Sequence, residues 1–131
     1  MVKNRFIFVV DDDDAVRDSV GTLLEAHGFL VRSFASGEEF LRSNFQGRTA
    51  CLLVDYHMPE MTGIDLLDEL KRRGFTYPSI LITGLTDATI QKRADAAGVL
   101  EVLRKPTQHT VILDAVRHAL SARLDAHCRS A

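Results

Sequence analysis

Cysteine, long apolar runs and clustered basic residues are all scarce in this chain of 131 residues. Its two cysteines, Cys51 and Cys128, are too few for a disulfide framework, so we expect a reducing compartment. No segment approaches the ~18 consecutive apolar residues of a membrane span. The apolar start ends at Val10 in four aspartates, without the small-residue cleavage site of a signal peptide. We therefore expect a cytoplasmic protein that does not cross a membrane.

Charge of neither sign dominates the sequence. Sixteen Lys and Arg stand against eighteen Asp and Glu, which gives a formal net charge of −2. The basic residues are scattered, so direct nucleic-acid binding by this segment is not expected. The hydrophobic fraction of 46% is typical of a globular protein, and the length suits one domain. We predict this domain at 1–124, followed by a C-terminal tail or the start of a linker at 125–131.

Hydrophobic patterns of two kinds alternate along the chain. Predicted strands lie at 6–10, 29–34, 51–54, 79–82 and 99–103. Those at 6–10 and 51–54 are continuous apolar runs, typical of strands buried on both faces. Segments with helical spacing follow these strands; they begin near 15, 36, 64, 87 and 109, and the last ends near 124. This order predicts an α/β fold, a single doubly wound sheet of five parallel strands with five helices. The predicted buried side of the last helix consists of Val111, Ile112, Val116, Ala119 and Leu120.

Five polar side chains closely follow these predicted strands. Asp11 and Asp12 come after the first strand, Asp55 after the third, Thr83 after the fourth and Lys105 after the fifth. In an open α/β sheet, ligands bind outside the carboxyl ends of the strands, so we expect these groups to meet at that edge. Each residue alone has a plain structural explanation, as a turn, a cap or a solvated charge. Only their joint occurrence at four strand ends points to a site.

Three carboxylates at one edge need compensation. A pair ~5 Å apart repels by roughly 3 kcal/mol at an effective dielectric of about 20, so the cluster requires raised pKa values or a cation. Oxygen ligands with room for water suit Mg²⁺. A metal ion and the Lys105 ammonium on either side of Asp55 would bring a phosphoryl group to it, and Asp55 would form an acyl phosphate. Asp13 and Asp14 fit a helix N-terminus, where the dipole favours acids.

Four motifs carry a family resemblance: Val-Val-Asp-Asp at 9–12, Val-Asp-Tyr-His-Met-Pro-Glu-Met-Thr-Gly at 54–63, Ile-Thr-Gly at 82–84 and Arg-Lys-Pro at 104–106. In this order and spacing, the chain resembles the receiver domain of bacterial two-component response regulators over almost its whole length. The segments 15–19 and 33–41 are similar to receivers that precede LuxR-type DNA-binding domains, which links the chain to transcription regulation. The resemblance implies a flavodoxin-like receiver fold with strand order 2-1-3-4-5.

The resemblance also implies a phosphorylation switch in a phosphorelay, with a role for each matching residue. Asp55 would accept a phosphoryl group from a sensor histidine kinase. The ligands of Mg²⁺ or Mn²⁺ would be Asp11, Asp12, Asp55 and the backbone carbonyl of His57. The phosphate-binding and switch residues would be Thr83, Gly84 and Lys105, the last joined to Pro106 by a cis peptide bond. Apart from phosphotransfer to itself and autodephosphorylation, no turnover of a free substrate is expected.

The signal would leave through the surface of the fourth helix, fifth strand and fifth helix. It would reach an output domain or partner protein, or form a phosphorylation-dependent homodimer through the fourth and fifth helices. Three tuning positions follow from the resemblance. The family commonly carries Phe or Tyr where this chain has Val102, while His57 and Leu85 occupy positions that set how fast the phosphoryl group is lost. Both a stand-alone receiver and a piece of a longer DNA-binding regulator remain open.

Two other functions remain as alternatives. A phosphate-independent interaction module with the receiver fold is slightly favoured by Val102, although the acidic, Thr and Lys set would then be idle. A phosphatase similar to the haloacid dehalogenase type also forms an aspartyl phosphate, and Asp-Asp-Asp-Ala-Val at 12–16 fits its Asp-x-Asp-x-(Thr or Val) motif. Against it, the chain has no room for a cap domain and lacks a downstream acidic pair at a strand end.

Overall fold

A parallel β-sheet organises the part of the chain that the structure, a computed structural model, describes: residues 6–84 and 87–130, without the side chains of 46 and 122–130. Its strands are β1 (Phe6–Val10), β2 (Val31–Phe34), β3 (Thr49–Asp55), β4 (Ser79–Thr83) and β5 (Glu101–Arg104). The helices are α1 (Asp14–Ala26), α2 (Gly37–Arg42), α3 (Gly63–Arg72), α4 (Ala88–Ala96) and α5 (His109–Ser130). A 3₁₀ turn, Gln46–Arg48, precedes β3. None of these helices is both long and apolar enough to cross a membrane.

The strands pair in the order β2-β1-β3-β4-β5, and every pair is parallel. Both the doubly wound fold and the strand order 2-1-3-4-5 are therefore confirmed. The register places Val10 beside Val54 and Asp55 beside Ile82. Because all strands run in the same direction, the residues that follow β1, β3, β4 and β5 emerge at one edge of the sheet.

The sheet separates two hydrophobic layers, and the central strands contribute alternate side chains to each. Ile7 and Val9 pack with apolar side chains of α1 and α5 on one face. Phe8 and Val10 pack with those of α2, α3 and α4 on the other face. The central strands β1, β3 and β4 are buried on both faces, and for this reason they read as continuous apolar runs rather than as alternating patterns.

Two strands begin later than predicted, β2 at 31 instead of 29 and β5 at 101 instead of 99. In each case a glycine with positive φ follows the C-cap of the preceding helix, Gly28 at 89° and Gly98 at 83°. The next amide then donates back to a helix carbonyl; Phe29 N lies 3.1 Å from Leu24 O, and Val99 N makes the same closure at 3.0 Å to a carbonyl of α4. These apolar residues therefore belong to helix C-terminal turns rather than to strands.

Helix α5 differs from the prediction in its buried face and in its length. Val111 is 43% exposed and Leu120 is only partly buried, whereas Leu113 and Ala115 are buried. The helix packs against α1 and against the β3 and β4 strands, so its buried stripe is turned away from Val111. The helix also continues to Ser130, beyond the predicted end near 124.

Candidate functional site

The carboxyl edge of the sheet brings the predicted polar side chains together. Asp55 ends β3 and Thr83 ends β4, while Asp11 and Lys105 directly follow β1 and β5. The Lys105 Nζ lies 3.1 Å from Asp55 Oδ1 and 3.8 Å from Asp11 Oδ2. Asp11, Asp12 and Asp55 each offer one carboxylate oxygen, and these oxygens lie within 4.8 Å of one another. The site is thus a cluster of three acids with one ammonium.

The loop between β1 and α1 holds the first two acids differently. Asp11 is only 2% exposed, and its Oδ1 accepts a hydrogen bond from the Asp13 amide at 2.9 Å. The Asp13 side chain in turn caps α1 by accepting from the amides of Ala15 and Val16. Asp12 is exposed to water. The cluster therefore combines a buried acid with one that solvent reaches.

Arg17 was not among the predicted site residues, yet it contacts this loop. Its Nη1 donates to the Asp11 carbonyl oxygen at 2.6 Å, and its Nη2 pairs with the Asp14 carboxylate. The signal in the sequence is the spacing of three residues between Asp14 and Arg17, which places the two side chains together on a helix. That spacing predicts the ion pair but not the contact with the Asp11 backbone.

Backbone contacts hold Asp55 at the end of β3. The Tyr56 amide donates to Ile82 O at 2.8 Å, and the Gly63 amide donates to Tyr56 O at 3.1 Å. Gly63 lies so close that an ideal Cβ there would be 2.6 Å from the Asp55 carbonyl oxygen. His57 is exposed, with its ring edge-on to Tyr56 at 4.9 Å between centroids. The loop after Asp55 is thus fixed on the sheet by main-chain contacts.

Thr83 and Val102 lie beside helix α4. Thr83 is 1% exposed and ends β4, with Gly84 directly after it. Thr83 and Val102 line an open pocket of about 320 Å³, and Ile90 and other α4 residues line its other side. Leu85, a predicted tuning position, lies outside the described residues.

Lys105 is positioned by its main chain. Its amide donates to Thr83 O at 2.8 Å, and its peptide bond to Pro106 is cis, as the resemblance implied. The side chain is 34% exposed, so water reaches the ammonium while the ammonium contacts the two buried carboxylates, Asp11 and Asp55. The Lys105 ammonium therefore compensates part of the negative charge of both carboxylates.

Burial dominates the electrostatics of the cluster. It raises the pKa of Asp11 to about 6, and the neighbouring carboxylates add to this effect while Lys105 opposes it. Burial also raises the pKa of Asp55, against the lowering effect of Lys105 and of the His57 backbone amide. Burial would lower the pKa of Lys105, but the contacts with Asp55 and Asp11 outweigh it and the pKa is raised. The single ammonium does not fully compensate both buried carboxylates.

The donor set fits a hard divalent cation. Asp55 Oδ1 is buried, and its charged neighbour Lys105, although 3.1 Å away, is not aligned for a hydrogen bond to it. Among the described residues, that oxygen accepts no hydrogen bond. The cluster offers carboxylate oxygens, and the exposed Asp12 leaves access for the waters that Mg²⁺ retains. The residues present therefore suit Mg²⁺.

Comparisons with known proteins agree with this geometry. Residues 7–117 match the family described as response regulator receiver domain. The chain is 36% identical over 113 residues to the transcriptional regulatory protein FixJ of Rhizobium meliloti, covering 86% of this chain and 55% of that protein. It is 35% identical over 114 residues to the response regulator protein TodT of Pseudomonas putida, covering 87% and 50%. The solved structure of the Vibrio cholerae chemotaxis protein CheY4 has a TM-score of 0.82 and 26% identity, covering 90% of this chain and 100% of that one.

The residues matched by the family, 7–117, include the three acids of the cluster and Lys105. The chain spans about half the length of the two curated relatives described above. Its strand order and helices are those of the flavodoxin-like receiver fold. The chain belongs to the receiver domains of two-component response regulators.

Proposed function

We propose that this receiver domain is a phosphorylation-dependent switch that accepts a phosphoryl group on Asp55. The observation that carries the proposal is the contact between the Asp55 carboxylate and the Lys105 ammonium inside a cluster of three acids. This arrangement supplies a nucleophilic oxygen, a cation for phosphate and ligands for a metal ion at one place. The membership of the family supports the same chemistry.

The donor would be a phosphohistidine of a sensor kinase. An Asp55 carboxylate oxygen attacks phosphorus, a P–O bond forms, the P–N bond breaks, and the histidine nitrogen keeps the electron pair. Lys105 would neutralise a phosphoryl oxygen, while Thr83 and Gly84 would bind the phosphate. Bound Mg²⁺ would supply further charge neutralisation. Its ligands would be Asp11, Asp12, Asp55 and the backbone carbonyl of His57.

The signal would leave by the surface that α4, β5 and α5 form. The Thr83 carbonyl accepts from the Lys105 amide, and Thr83 also forms a wall of the open pocket beside α4. If the Thr83 hydroxyl turns toward a phosphoryl group, that wall changes. Val102 is not aromatic, so the change would reach α4 without the movement of a ring. We propose that His57 and Leu85 tune the lifetime of the phosphoryl group.

The relatives suggest the partners. FixJ is described as a transcriptional regulatory protein, and this chain spans only 55% of it. We propose that the domain at 1–124 controls an output domain or partner protein that regulates transcription, with 125–131 as a tail or linker. Phosphorylation would also favour a homodimer through α4 and α5. We assign no direct nucleic-acid binding to this domain, and we expect it in the cytoplasm.

The geometry favours the switch over a phosphatase of the haloacid dehalogenase type. That chemistry would need Asp12 and Asp14 to act together. Asp13 instead caps α1, and Asp14 is 91% exposed and pairs with Arg17 outside the cluster of three acids. Multiple-turnover hydrolysis of a generic phosphate ester would favour the phosphatase. Phosphorylation that changes neither oligomeric state nor partner affinity would favour the phosphate-independent module.

Chemical trapping tests the acceptor. The protein is incubated with acetyl phosphate and Mg²⁺ and then reduced with borohydride, which converts an aspartyl phosphate to homoserine. We expect peptide mass spectrometry to find homoserine at position 55 of the wild-type chain and none in Asp55→Asn. Homoserine at a different acidic position, or at none, would contradict the proposal.

A further inference from the structure

We infer that Arg17 is a positioning residue for the metal site, because it holds the loop that carries Asp11 and Asp12. The inference rests on the proposed function, since it concerns the same acidic cluster. The guanidinium touches the loop at two points: Nη1 donates to Asp11 O at 2.6 Å, and Nη2 pairs with the Asp14 carboxylate. A planar fork of donors suits such a two-point contact.

The contact is built into the first turn of α1. Helical side chains lean toward the N-terminus, so Arg17, four residues after the N-cap Asp13, reaches back over the loop. Its side chain is only 18% exposed, whereas that of Asp14 is 91% exposed. Arginine is rarely covered by protein to this extent unless it is paired. Arg17 is therefore fixed against the loop rather than solvated.

The positive charge of Arg17 also interacts unfavourably with the dipole of helix α1. A positive charge near a helix N-terminus is unfavourable, so it needs a local compensation. The Asp14 carboxylate and the Asp11 carbonyl provide that compensation. Within residues 6–84 and 87–130, Arg17 is the side chain that donates to the Asp11 carbonyl. The arginine and the acidic loop thus stabilise each other.

The contact between Arg17 and the loop affects the position of Asp12. The Asp11 carbonyl belongs to the planar peptide unit that leads to Asp12, so the hydrogen bond from Arg17 orients that unit. The Asp12 side chain is exposed, so the position of its main chain sets where its carboxylate can reach. On the other side, the Asp13 amide fixes the Asp11 carboxylate. A loop that is already ordered loses less conformational entropy when a cation binds.

The charge of Arg17 and its two contacts with the loop have opposite effects on metal binding. A guanidinium near the cluster repels a divalent cation, so loss of its charge alone would strengthen metal binding. Loss of the two-point contact would instead weaken metal binding. Arg17→Lys separates the two effects, because lysine keeps the charge but lacks the planar fork.

The experiment titrates the full chain with Mn²⁺ alone and follows free Mn²⁺ by electron paramagnetic resonance. Arg17→Lys is compared with the wild type and with Arg117→Lys, whose arginine is exposed on α5. We expect the Kd of Arg17→Lys for Mn²⁺ to rise about three- to tenfold, and that of Arg117→Lys to stay unchanged. At saturating Mn²⁺, the rate of phosphorylation by acetyl phosphate should return to near the wild-type rate in Arg17→Lys.

A second variant guards against an uninformative loss of folding. Arg17→Gln removes both the charge and the fork, and we expect it also to bind Mn²⁺ more weakly; tighter binding would show that repulsion dominates and would overturn the inference. Wild-type affinity in folded Arg17→Lys would overturn it as well. Failure of the wild-type chain to bind Mn²⁺ would overturn the proposed function and this inference together.

Discussion

The Lys105 ammonium lies 3.1 Å from Asp55 Oδ1, at the point where β3 reaches the edge of the sheet. This contact compensates part of the charge that burial makes unfavourable on Asp55. In the proposed reaction, the Asp55 oxygen becomes part of an acyl phosphate, and the negative charge moves to the phosphoryl oxygens. Lys105 can then contact those oxygens instead. Phosphorylation would thus exchange the Asp55 carboxylate for the phosphoryl group as the anionic partner of Lys105, and this exchange links the reaction to the position of the lysine.

Replacing Lys105 should slow phosphorylation more than it destabilises the fold. We expect Lys105→Met to reduce the rate with acetyl phosphate by roughly 100-fold, because a cation for the transferred group is lost. The free energy of unfolding should fall by about 1 kcal/mol, since water already reaches the ammonium. Lys71→Met, at an exposed position of α3, is the control. Equal phosphorylation rates in the two variants would contradict the role of Lys105.

Stability in the absence of divalent cations should decrease as the pH rises through the pKa of Asp11. That pKa is about 6 in the folded chain against an ordinary value of 3.8, so between these values the folded state binds more protons than the unfolded state. The stabilisation is complete below the lower value and is lost above the higher one. The raised pKa of Asp55 acts in the same direction.

The measurement is urea unfolding in chelator at pH 5 and pH 7. Relative to Asp11→Asn, the wild-type chain should be about 1 kcal/mol more stable at pH 5 than at pH 7. Asp11→Asn removes this titration but keeps the shape of the side chain. The same change with pH in both proteins would show that Asp11 does not titrate in this range.

Gly63→Ala should disturb the loop that carries Asp55. The added Cβ would lie 2.5 Å from Val54 Cγ1 and 2.6 Å from Asp55 O, so the main chain must shift. We expect a loss of about 2–3 kcal/mol in the free energy of unfolding, and slower phosphorylation. Gly47→Ala, where a Cβ would meet nothing within 4 Å, should change stability by less than about 0.5 kcal/mol. Similar losses in the two variants would contradict this packing.

Val102→Phe should stabilise the chain by filling the open pocket beside Thr83. The pocket of about 320 Å³ can take the larger side chain, and we expect a gain of about 0.5–1 kcal/mol in urea unfolding. Val111→Phe is the matched control, because Val111 is already 43% exposed and the new ring would stay in water. A loss of stability in Val102→Phe would mean that Val102 is closely packed in solution.

Most of the fold could be predicted from the sequence because the central parallel strands, β1, β3 and β4, are buried on both faces. Their continuous apolar segments, such as the one that ends at Asp55, therefore differ clearly from the helical spacing of apolar residues in the segments between them. The predicted starts of β2 and β5 were wrong because an apolar residue such as Phe29 or Val99 can either extend a strand or close a helix C-terminal turn. The hydrogen bonds after Gly28 and Gly98 decide between these, and composition does not record them.

The candidate site was predictable where polar residues terminate apolar runs. Asp11, Asp12, Asp55 and Lys105 meet because strand ends share one edge of the sheet, where Thr83 also ends β4. Arg17 was missed because its contact depends on the direction in which a side chain leans along α1. The space beside Val102 likewise depends on how closely α4 approaches β5. Both are properties of packing between elements, which sequence spacing does not encode.

The most direct test of the switch is the intact mass of the wild-type chain and of Asp55→Asn after incubation with acetyl phosphate. Each protein is treated once with Mg²⁺ and once with excess chelator. We expect a single phosphoryl adduct on the wild-type chain with Mg²⁺, and none on Asp55→Asn or in chelator. The absence of an adduct on the wild type with Mg²⁺, or an equal adduct on Asp55→Asn, would contradict phosphoryl transfer to Asp55.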